Sequence, residues 1–411
     1  MKQFTSDIKR AQGREDFSRA INPESFNPTP STLNIEHSNR LNVERWSLKS
    51  ECSAATAPNW RVLAAAGGAA RAPLAAVSLL LAVTGFGAPS AEPANPKTNA
   101  KARTILRYLH ELSARKEGPR ILSGQFSNFG NGANLRLMEQ IRDKTGRWPA
   151  LIGVDYADFG RGSLTYKVPN KVAIDYWKQG GLVTVMAHLY NPANPKGGGL
   201  RDKGVNLEDL LQSGTDTHTR WMQELDLMAE GLQELKAAGV AVLWRPFHEM
   251  NGGWFWWGAK EPSQFIRVWR HMFDYFSQTK NLDNLLWVYG PNHGQNTAKY
   301  YAGENYVDLV GLDAYTDFVD RQHIKGYDEV IALPKPFGFT EYGPHGSQNP
   351  PGDYDYRRFI DGLEKDFPQT CFFMSWNAKW SLAQNNYTKE LLAHPSVINR
   401  DGLPAGLVRA E

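Results

Sequence analysis

The sequence predicts a single-domain (β/α)8 TIM barrel. From Lys97 onward, short apolar runs alternate with amphipathic helical stretches, which is the order of elements in an α/β fold. Each run is almost wholly apolar in its first half, as expected for parallel strands that are buried on both faces. The 411 residues leave room for such a barrel, which typically takes about 250 residues. The candidate strands are Ile121–Ser127, Pro149–Tyr156, Leu182–Leu189, Val240–Glu249, Leu285–Asn292, Val307–Tyr315, Pro336–Gly343 and Cys371–Ala378.

Polar residues follow the apolar half of every predicted strand. In a barrel of parallel strands, all C-terminal ends lie at one face, and this face carries the active site. We therefore expect these polar side chains to line a common mouth. They are Gln125, Asp155, His188, Glu249, Asn292, Asp313, Glu341 and the pair Trp376–Asn377.

Three helices have clear sequence signals. Arg220–Ala238 carries an apolar stripe that includes Trp221 and ends at a glycine, and Pro262–Phe276 begins with a proline suited to a first turn. Thr98–Leu112 is amphipathic and precedes the first strand. The longest gap between strands contains the glycine-rich segment Asn191–Gly199, for which we expect a mobile loop at the mouth.

The N-terminal part of the chain differs from the rest. Residues 1–60 lack periodicity and are predicted to be disordered or absent from the mature protein. Residues 61–97 contain basic residues, the uncharged run Ala72–Ala88 and a Pro-rich exit, which is a signal-peptide pattern at an unusual distance from Met1. We expect an exported protein, with an inner-membrane anchor or an alanine-rich linker helix as alternatives. Residues 98–411 are assigned to the barrel domain.

The composition excludes some classes of protein. A net charge of +3 without basic runs interleaved with aromatics argues against a nucleic-acid partner. The two cysteines, Cys52 and Cys371, cannot form a disulfide framework, and Cys371 is expected to be a buried free thiol. The 13 tryptophans are more than usual for a soluble protein.

The segment Trp244–Gly258 is the most informative stretch of the sequence. An apolar run ends in Arg245, His248 and Glu249, and tryptophans follow at once. Indole rings stack on the C–H faces of sugars, whose hydroxyl groups need polar partners. The segment therefore predicts a carbohydrate-active enzyme.

Two glutamates are the candidate catalytic residues. Glu249 at the end of strand four and Glu341 on strand seven should enter the same mouth from opposite sides of the barrel axis. Glycoside hydrolysis needs one protonated and one ionised carboxyl group. Tryptophans around Glu249 should raise its pKa and make it the general acid/base. Glu341 could accept hydrogen bonds from Tyr315 and His248, which suits a nucleophile.

Structural roles are the alternative for these residues. The glutamates could pair with Arg245 and Lys335, and at least one of the tryptophans in Trp254–Trp257 should pack in the core, because adjacent side chains cannot all face one way. Asp155 and Asp158 could bind sugar hydroxyls or cap the next helix.

A metal site is a further alternative. His188 and His248 could be satisfied core histidines, or metal ligands together with His293 and Asp313. Strand one, Ile121–Ser127, lacks the His-x-His that metal-dependent barrel hydrolases need. We therefore expect no metal and no other cofactor.

Two motifs resemble glycoside hydrolase family 26. Trp244–Gly258 is similar to that family's acid/base signature, in which a histidine precedes the glutamate, and Phe339–Gly343 is similar to its nucleophile strand. The resemblance covers about residues 100–400. It implies a (β/α)8 fold, a retaining mechanism and no metal, with endo-β-1,4-mannanase as the commonest activity and mixed-linkage β-glucan or β-1,3-xylan as rarer substrates.

The resemblance also assigns roles to further residues. It implies that His248 hydrogen-bonds the nucleophile and that Tyr315 approaches Glu341 and the ring oxygen of the reacting sugar. It places Trp376 beneath that sugar and His188 beside it.

The resemblance further implies that Trp254 and Trp257 are sugar platforms. Asn377 departs from some mannanases of the family, which carry an arginine at this position. The expected partner is a β-linked polysaccharide or oligosaccharide, with no stable protein partner and a monomeric state. Alternatives are a hydrolase of the same family that trims another β-glycan or an exopolysaccharide, and a non-catalytic carbohydrate-binding barrel.

Overall fold

Eight parallel strands close into a barrel in the computed structural model, which describes residues 92–344 and 351–408. Each strand pairs with its neighbours in sequence, and the last strand pairs with the first, so the predicted (β/α)8 fold is confirmed. The strands are β1 Gly124–Phe129, β2 Leu151–Asp155, β3 Leu182–Met186, β4 Val242–Arg245, β5 Leu285–Tyr289, β6 Leu309–Tyr315, β7 Phe337–Gly343 and β8 Thr370–Ser375.

Two short strand pairs flank the barrel. Ile121–Leu122 precedes β1 and pairs in parallel with Val397–Ile398 near the C-terminus. Ala157–Asp158 and Ser163–Leu164 form an antiparallel hairpin directly after β2, at the mouth.

Helices surround the barrel in the order that the sequence predicts. The helices are α1 Ala100–Ser113, α2 Arg136–Thr145, α3 Lys167–Lys178, α4 Asp216–Ala237, α5 Pro262–Asp274, α6 Tyr327–Ile331, α7 Tyr356–Asp366 and α8 Thr388–Ala393. A π-helical turn, Tyr275–Thr279, extends α5. The segment between β5 and β6 has the 3-10 turn Glu304–Tyr306 in place of an α-helix.

Local chemistry explains where the helices α4 and α5 begin. The hydroxyl of Thr215 accepts the backbone N–H of His218 at the start of α4, and the carboxylate of Glu261 accepts that of Ser263 at the start of α5. Trp221 on α4 and Trp269 on α5 are fully buried against the barrel. Burial of each such side chain stabilises the fold by roughly 2–3 kcal/mol.

The segment Glu92–Lys97 is packed against the bottom of the barrel. The backbone N–H of Ala94 donates to Asp308 Oδ1 at 2.7 Å, and Asn95 Nδ2 donates to the carbonyl of Leu282 at 3.4 Å. Ala94 and Asn95 are buried. These residues therefore join the domain rather than the Pro-rich linker that the sequence predicts.

The other N-terminal predictions fall outside the described residues. They concern residues 1–60, Cys52 and the apolar run Ala72–Ala88, so export and anchoring stay predictions. Among the residues that the structure describes, no helix has the length and apolar character needed to span a membrane. Cys371 is buried and free, as expected.

Candidate active site

Glu249 and Glu341 meet at the mouth of the barrel, as the sequence predicts. Oxygen atoms of Glu249, Asp313 and Glu341 lie within 4.8 Å of one another. All three carboxyl groups are buried. Two carboxyl groups at this spacing can reach the same sugar carbon and its glycosidic oxygen.

Glu249 reaches this position from a loop, which corrects the predicted extent of strand four. The strand ends at Arg245, and the chain then turns through Phe247 and Glu249, which have φ values of 50° and 55°. Left-handed backbone at non-glycine residues costs about 1–3 kcal/mol and persists where surrounding packing imposes it. Phe247 is fully buried, and the N–H of Glu249 donates to the carbonyl of Gly290 at 2.8 Å.

Glu341 is held on β7 by a donor at each carboxylate oxygen. Arg245 donates to Oε1, and the hydroxyl of Tyr315 donates to Oε2 at 2.7 Å. Burial raises the pKa of Tyr315 well above its ordinary value, and the nearby charges of Glu341 and Glu249 raise it further, so its proton stays in place. The predicted contact between Tyr315 and Glu341 is therefore found.

Arg245 supplies the positive charge at the centre of the site. Nη2 donates to Glu341, and Nη1 donates to Asp313 Oδ2 at 2.8 Å. Burial opposes its charge, but the carboxylates of Asp313 and Glu341 outweigh burial and raise its pKa. In the described part of the chain, Glu249, Asp313 and Glu341 are the one acidic cluster spaced to hold a metal ion. The guanidinium group already compensates charge in that cluster.

The environment of Glu249 favours its protonated form. Burial raises the pKa of its carboxyl group well above the ordinary value, and the negative charges of Asp313 and Glu341 act in the same direction. Trp254 Nε1 donates to Glu249 Oε2 at 2.6 Å, which lowers this pKa in part. A carboxyl group that is protonated near neutral pH can act as a general acid.

The predicted bond between His248 and Glu341 is not formed. His248 Nε2 instead lies 3.1 Å from His188 Nε2, and His188 Nδ1 lies 2.6 Å from Asp155 Oδ2. Arg245 and Tyr315 already occupy the two oxygens of the nucleophile candidate. Burial lowers the pKa of His248 well below its ordinary value, and positive charge on His188 and Arg245 would lower it further.

Trp257 is not a sugar platform, contrary to the prediction. Its side chain is fully buried, its Nε1 donates to the carbonyl of His248 at 2.9 Å, and its ring stacks on Phe255 with 4.5 Å between centroids. Trp256 is also fully buried and donates to the carbonyl of Leu189. Of the three tryptophans, only Trp254 is partly accessible, and it contacts Glu249 through its N–H.

Trp376 connects the pocket of the two glutamates with a larger cleft. Its indole stacks on Phe126 with 4.2 Å between ring centroids and an angle of 8°, so a sugar can stack only on the opposite face. Both Trp376 and Phe159 line the pocket and the cleft. The cleft has a volume of about 600 Å³ and runs towards the loops after β1 and β8.

Amide and aromatic side chains dominate the wall of this cleft. An apolar floor with a few polar groups is typical of a ligand site, and amides can both donate to and accept from sugar hydroxyls. Arg136 and Asp158 are the charged residues among those that line it. The amides are Asn128, Asn131, Asn134, Gln140 and Asn377.

Four residues of the catalytic pocket were not predicted from the sequence. Phe159 and Phe255 could have been found, because they are aromatic residues near the ends of predicted strands. Leu200 and Arg201 follow a glycine-rich segment, and nothing in the sequence marks them as pocket residues. They line the pocket together with the two histidines, Tyr315 and Trp376.

The loop that carries Leu200 and Arg201 is held by hydrogen bonds to neighbouring segments, and its mobility stays a prediction. The carbonyl of Leu200 accepts the backbone N–H of Trp256 at 3.0 Å, and the N–H of Gly198 donates to Gly162 at 3.2 Å. Arg220 Nε donates to the carbonyl of Pro192 at 2.6 Å. The loop forms one wall of the catalytic pocket.

Known proteins are similar to this chain in sequence and in fold. The model of glycosyl hydrolase family 26 matches residues 94–402. The chain is 37% identical over 328 residues to the mannan endo-1,4-beta-mannosidase of Bacillus subtilis (strain 168), and the match spans 75% of this chain and 88% of that relative. It is 35% identical over 329 residues to mannan endo-1,4-beta-mannosidase A and B of Caldalkalibacillus mannanilyticus, and the match spans 76% of this chain and 63% of that relative.

Solved structures agree with the sequence relatives. The Bacillus subtilis mannanase BCman superposes with a TM-score of 0.72 at 35% identity, over 77% of this chain and 97% of that one. A beta-mannanase from a symbiotic protist of the termite Reticulitermes speratus, solved with a gluco-manno-oligosaccharide, superposes with a TM-score of 0.62 at 25% identity, over 77% and 98%. The match of almost the whole barrel to the family model, together with relatives above 30% identity, shows that the chain belongs to glycosyl hydrolase family 26.

Proposed function

We propose that the protein hydrolyses β-1,4-mannosidic bonds in mannan-type polysaccharides with retention of anomeric configuration. The spacing of the two glutamates carries this proposal. At least one oxygen of Glu249 lies within 4.8 Å of an oxygen of Glu341, which fits the roughly 5–5.5 Å separation of retaining enzymes better than the roughly 6.5–9.5 Å of inverting ones. Inverting enzymes use a wider separation to admit a water molecule between carboxylate and sugar, so this spacing favours direct attack by Glu341.

In the first step, Glu341 attacks the anomeric carbon while Glu249 protonates the glycosidic oxygen. The carbon–oxygen bond to the leaving sugar breaks as the bond to the Glu341 carboxylate forms. Arg245 and Tyr315 hold the carboxylate for attack. Proton transfer leaves Glu249 ionised, and the N–H of Trp254 stabilises that charge.

In the second step, water displaces the enzyme from the sugar. Glu249, now a carboxylate, takes a proton from the water as its oxygen attacks the anomeric carbon. The bond between the sugar and Glu341 breaks, and Glu341 leaves as a carboxylate beside Arg245. Two inversions at one carbon give net retention.

The relatives and the cleft support mannan as the substrate. The relatives above 30% identity are named as mannan endo-1,4-beta-mannosidases. A cleft with an indole floor and amide walls suits an uncharged polysaccharide. Asn377 lines this cleft at a position where some mannanases of the family have an arginine. In those mannanases the arginine binds the sugar next to the reacting one, so we expect this enzyme to differ from them in how it binds that sugar.

We expect mannan and glucomannan to be hydrolysed roughly 5- to 150-fold faster than mixed-linkage β-glucan or β-1,3-xylan, because a wrong sugar that leaves one buried polar group unpaired costs about 1–3 kcal/mol. The assay is release of reducing ends from the four polysaccharides at equal mass concentration. The Glu249→Gln variant, purified in the same way, corrects for contaminating hydrolases.

A preference for β-glucan or β-1,3-xylan would contradict the proposed substrate and leave the mechanism intact. Absence of reducing ends from every polysaccharide would instead favour a non-catalytic carbohydrate-binding barrel. The anomer released first, followed by NMR, tests retention independently of which substrate is best.

Trp254→Phe should move the alkaline limb of the kcat/KM profile to higher pH, by up to about one unit. The indole N–H favours the ionised form of Glu249, so its loss raises the pKa of the acid. The acid is needed protonated in the first step, so the enzyme stays active to higher pH. The measurement is kcat/KM on a soluble mannooligosaccharide across the pH range.

Trp256→Phe is the matched control for this prediction. Trp256 donates to the carbonyl of Leu189 rather than to a titratable group, so its replacement should reduce stability without moving the alkaline limb. An unchanged limb in Trp254→Phe, or a shift to lower pH, would show that the indole does not act on the acid.

A further inference from the structure

A buried chain of three side chains runs from β2 to the catalytic pocket. Asp155 at the end of β2 contacts His188 after β3, and His188 contacts His248, the residue before the acid Glu249. The two distances are 2.6 and 3.1 Å. Asp155, His188 and His248 are all buried, and both histidines line the pocket that contains the two glutamates.

Both oxygens of Asp155 have defined partners. Oδ1 accepts the backbone N–H of Ala157 at 2.6 Å and that of His188 at 3.2 Å. Oδ2 faces His188 Nδ1. A carboxylate can only accept, so His188 Nδ1 carries a proton.

This proton fixes the protonation pattern of the second histidine. When Nδ1 carries the one proton of the His188 ring, Nε2 is an acceptor, so the hydrogen bond between the rings requires the proton of His248 on Nε2. His248 Nδ1 is then an acceptor, and it is buried without a hydrogen-bond partner among the described residues. With one proton on each ring, the pocket wall carries a single arrangement of donors and acceptors.

We propose that Asp155 is a positioning residue for catalysis, which fixes the tautomers of His188 and His248 and through them the polar pattern of the wall beside Glu249. This inference rests on the proposed function, because it takes the pocket of the two glutamates to be the site of the reacting sugar. Asp155 acts through the histidines and has no contact with the reacting atoms.

Asp155→Asn inverts this pattern. The two backbone N–H groups at Oδ1 require the carbonyl oxygen of the new amide, so its NH2 group faces His188 Nδ1. His188 must then accept at Nδ1 and carry its proton on Nε2. The proton of His248 moves to Nδ1 in turn. One isosteric substitution thus moves the proton to the other nitrogen on both rings and keeps both histidines in place.

The direct test is the protonation state of the ring nitrogens, measured by two-bond 1H–15N NMR on protein labelled at histidine. In the unmodified protein we expect His188 protonated at Nδ1 and His248 at Nε2, and in Asp155→Asn the reverse for both. The signals are assigned by their loss in His188→Gln and His248→Gln. We further expect kcat/KM of Asp155→Asn to fall roughly 100-fold, mainly in kcat.

Asp308→Asn is the matched control. Asp308 is another buried aspartate that accepts two backbone N–H bonds, from Ala94 and Trp287, at the opposite end of the barrel. Its replacement should lower the melting temperature and leave the histidine signals and kcat unchanged. Any loss of activity in Asp155→Asn that Asp308→Asn shares is therefore a loss of folded protein.

Three results would overturn the inference. They are a doubly protonated His188 in the unmodified protein, tautomers that stay the same in Asp155→Asn, and kcat unaffected by the reversal. Because the first is measured on the unmodified protein, the inference can be tested even if the variant does not fold. None of these results affects the roles of Glu249 and Glu341, which separate variants test.

Discussion

Glu341→Ala should lower kcat/KM by roughly 10⁴-fold or more, because the covalent intermediate cannot form without the nucleophile. The side chain is buried between Arg245 and Tyr315, and its removal leaves space on the face of the sugar from which it attacks. Azide can enter this space and attack an aryl β-mannoside once. We therefore expect azide to restore turnover and to give the α-mannosyl azide, identified by NMR.

Glu249→Ala provides the contrast. This variant retains Glu341, so an aryl mannoside with a good leaving group still forms the glycosyl-enzyme without acid assistance. Azide then attacks in place of water and gives the β-mannosyl azide. The opposite anomers from the two variants would establish the two roles. Near-normal activity of Glu341→Ala, or a β-product from it, would show that Glu341 is not the nucleophile.

Arg245→Met should destabilise the protein by about 3–5 kcal/mol and lower kcat by several orders of magnitude, because it leaves Asp313 and Glu341 as buried carboxylates without their cation. The loss should be largest at high pH, where both groups are ionised. At low pH they take up protons, and the difference from the parent protein shrinks. Thermal unfolding across the pH range measures this trend.

A second substitution tests whether charge is the cause. Asp313→Asn in the Arg245→Met background removes one of the uncompensated carboxylates, so it should restore part of the lost stability, and most at high pH. Arg245→Lys keeps the charge but loses the fork that reaches both acids, so it should be intermediate. Equal destabilisation at all pH values would point to poorer packing instead.

The barrel could be predicted from the sequence because parallel strands buried on both faces give continuous apolar runs. β6 and β7 end within the predicted ranges, and this places Tyr315 and Glu341 at the mouth correctly. The predicted end of β4 was wrong. Phe247 and Glu249 adopt positive φ because of the surrounding packing, and the sequence gives no sign of such a conformation at a phenylalanine or a glutamate.

Contacts between distant segments account for the other errors. The sequence places His248 beside Glu249, but it does not show that His248 contacts His188 or that His188 contacts Asp155. The burial of Trp257 likewise depends on how the loop after β4 folds back on Phe255. Nothing in the sequence marked Arg201 as a pocket residue, because its place at the pocket depends on how the loop around it packs.

The attachment of the N-terminal segment to the bottom of the barrel has a practical consequence. The backbone N–H of Ala94 is hydrogen-bonded to Asp308, the residue before β6, so the chain enters the domain at the end of the barrel opposite the cleft. A surface or fusion partner joined ahead of Glu92 would therefore leave the mouth pointing outwards. An immobilised form tethered there should accept long polymers as readily as short ones.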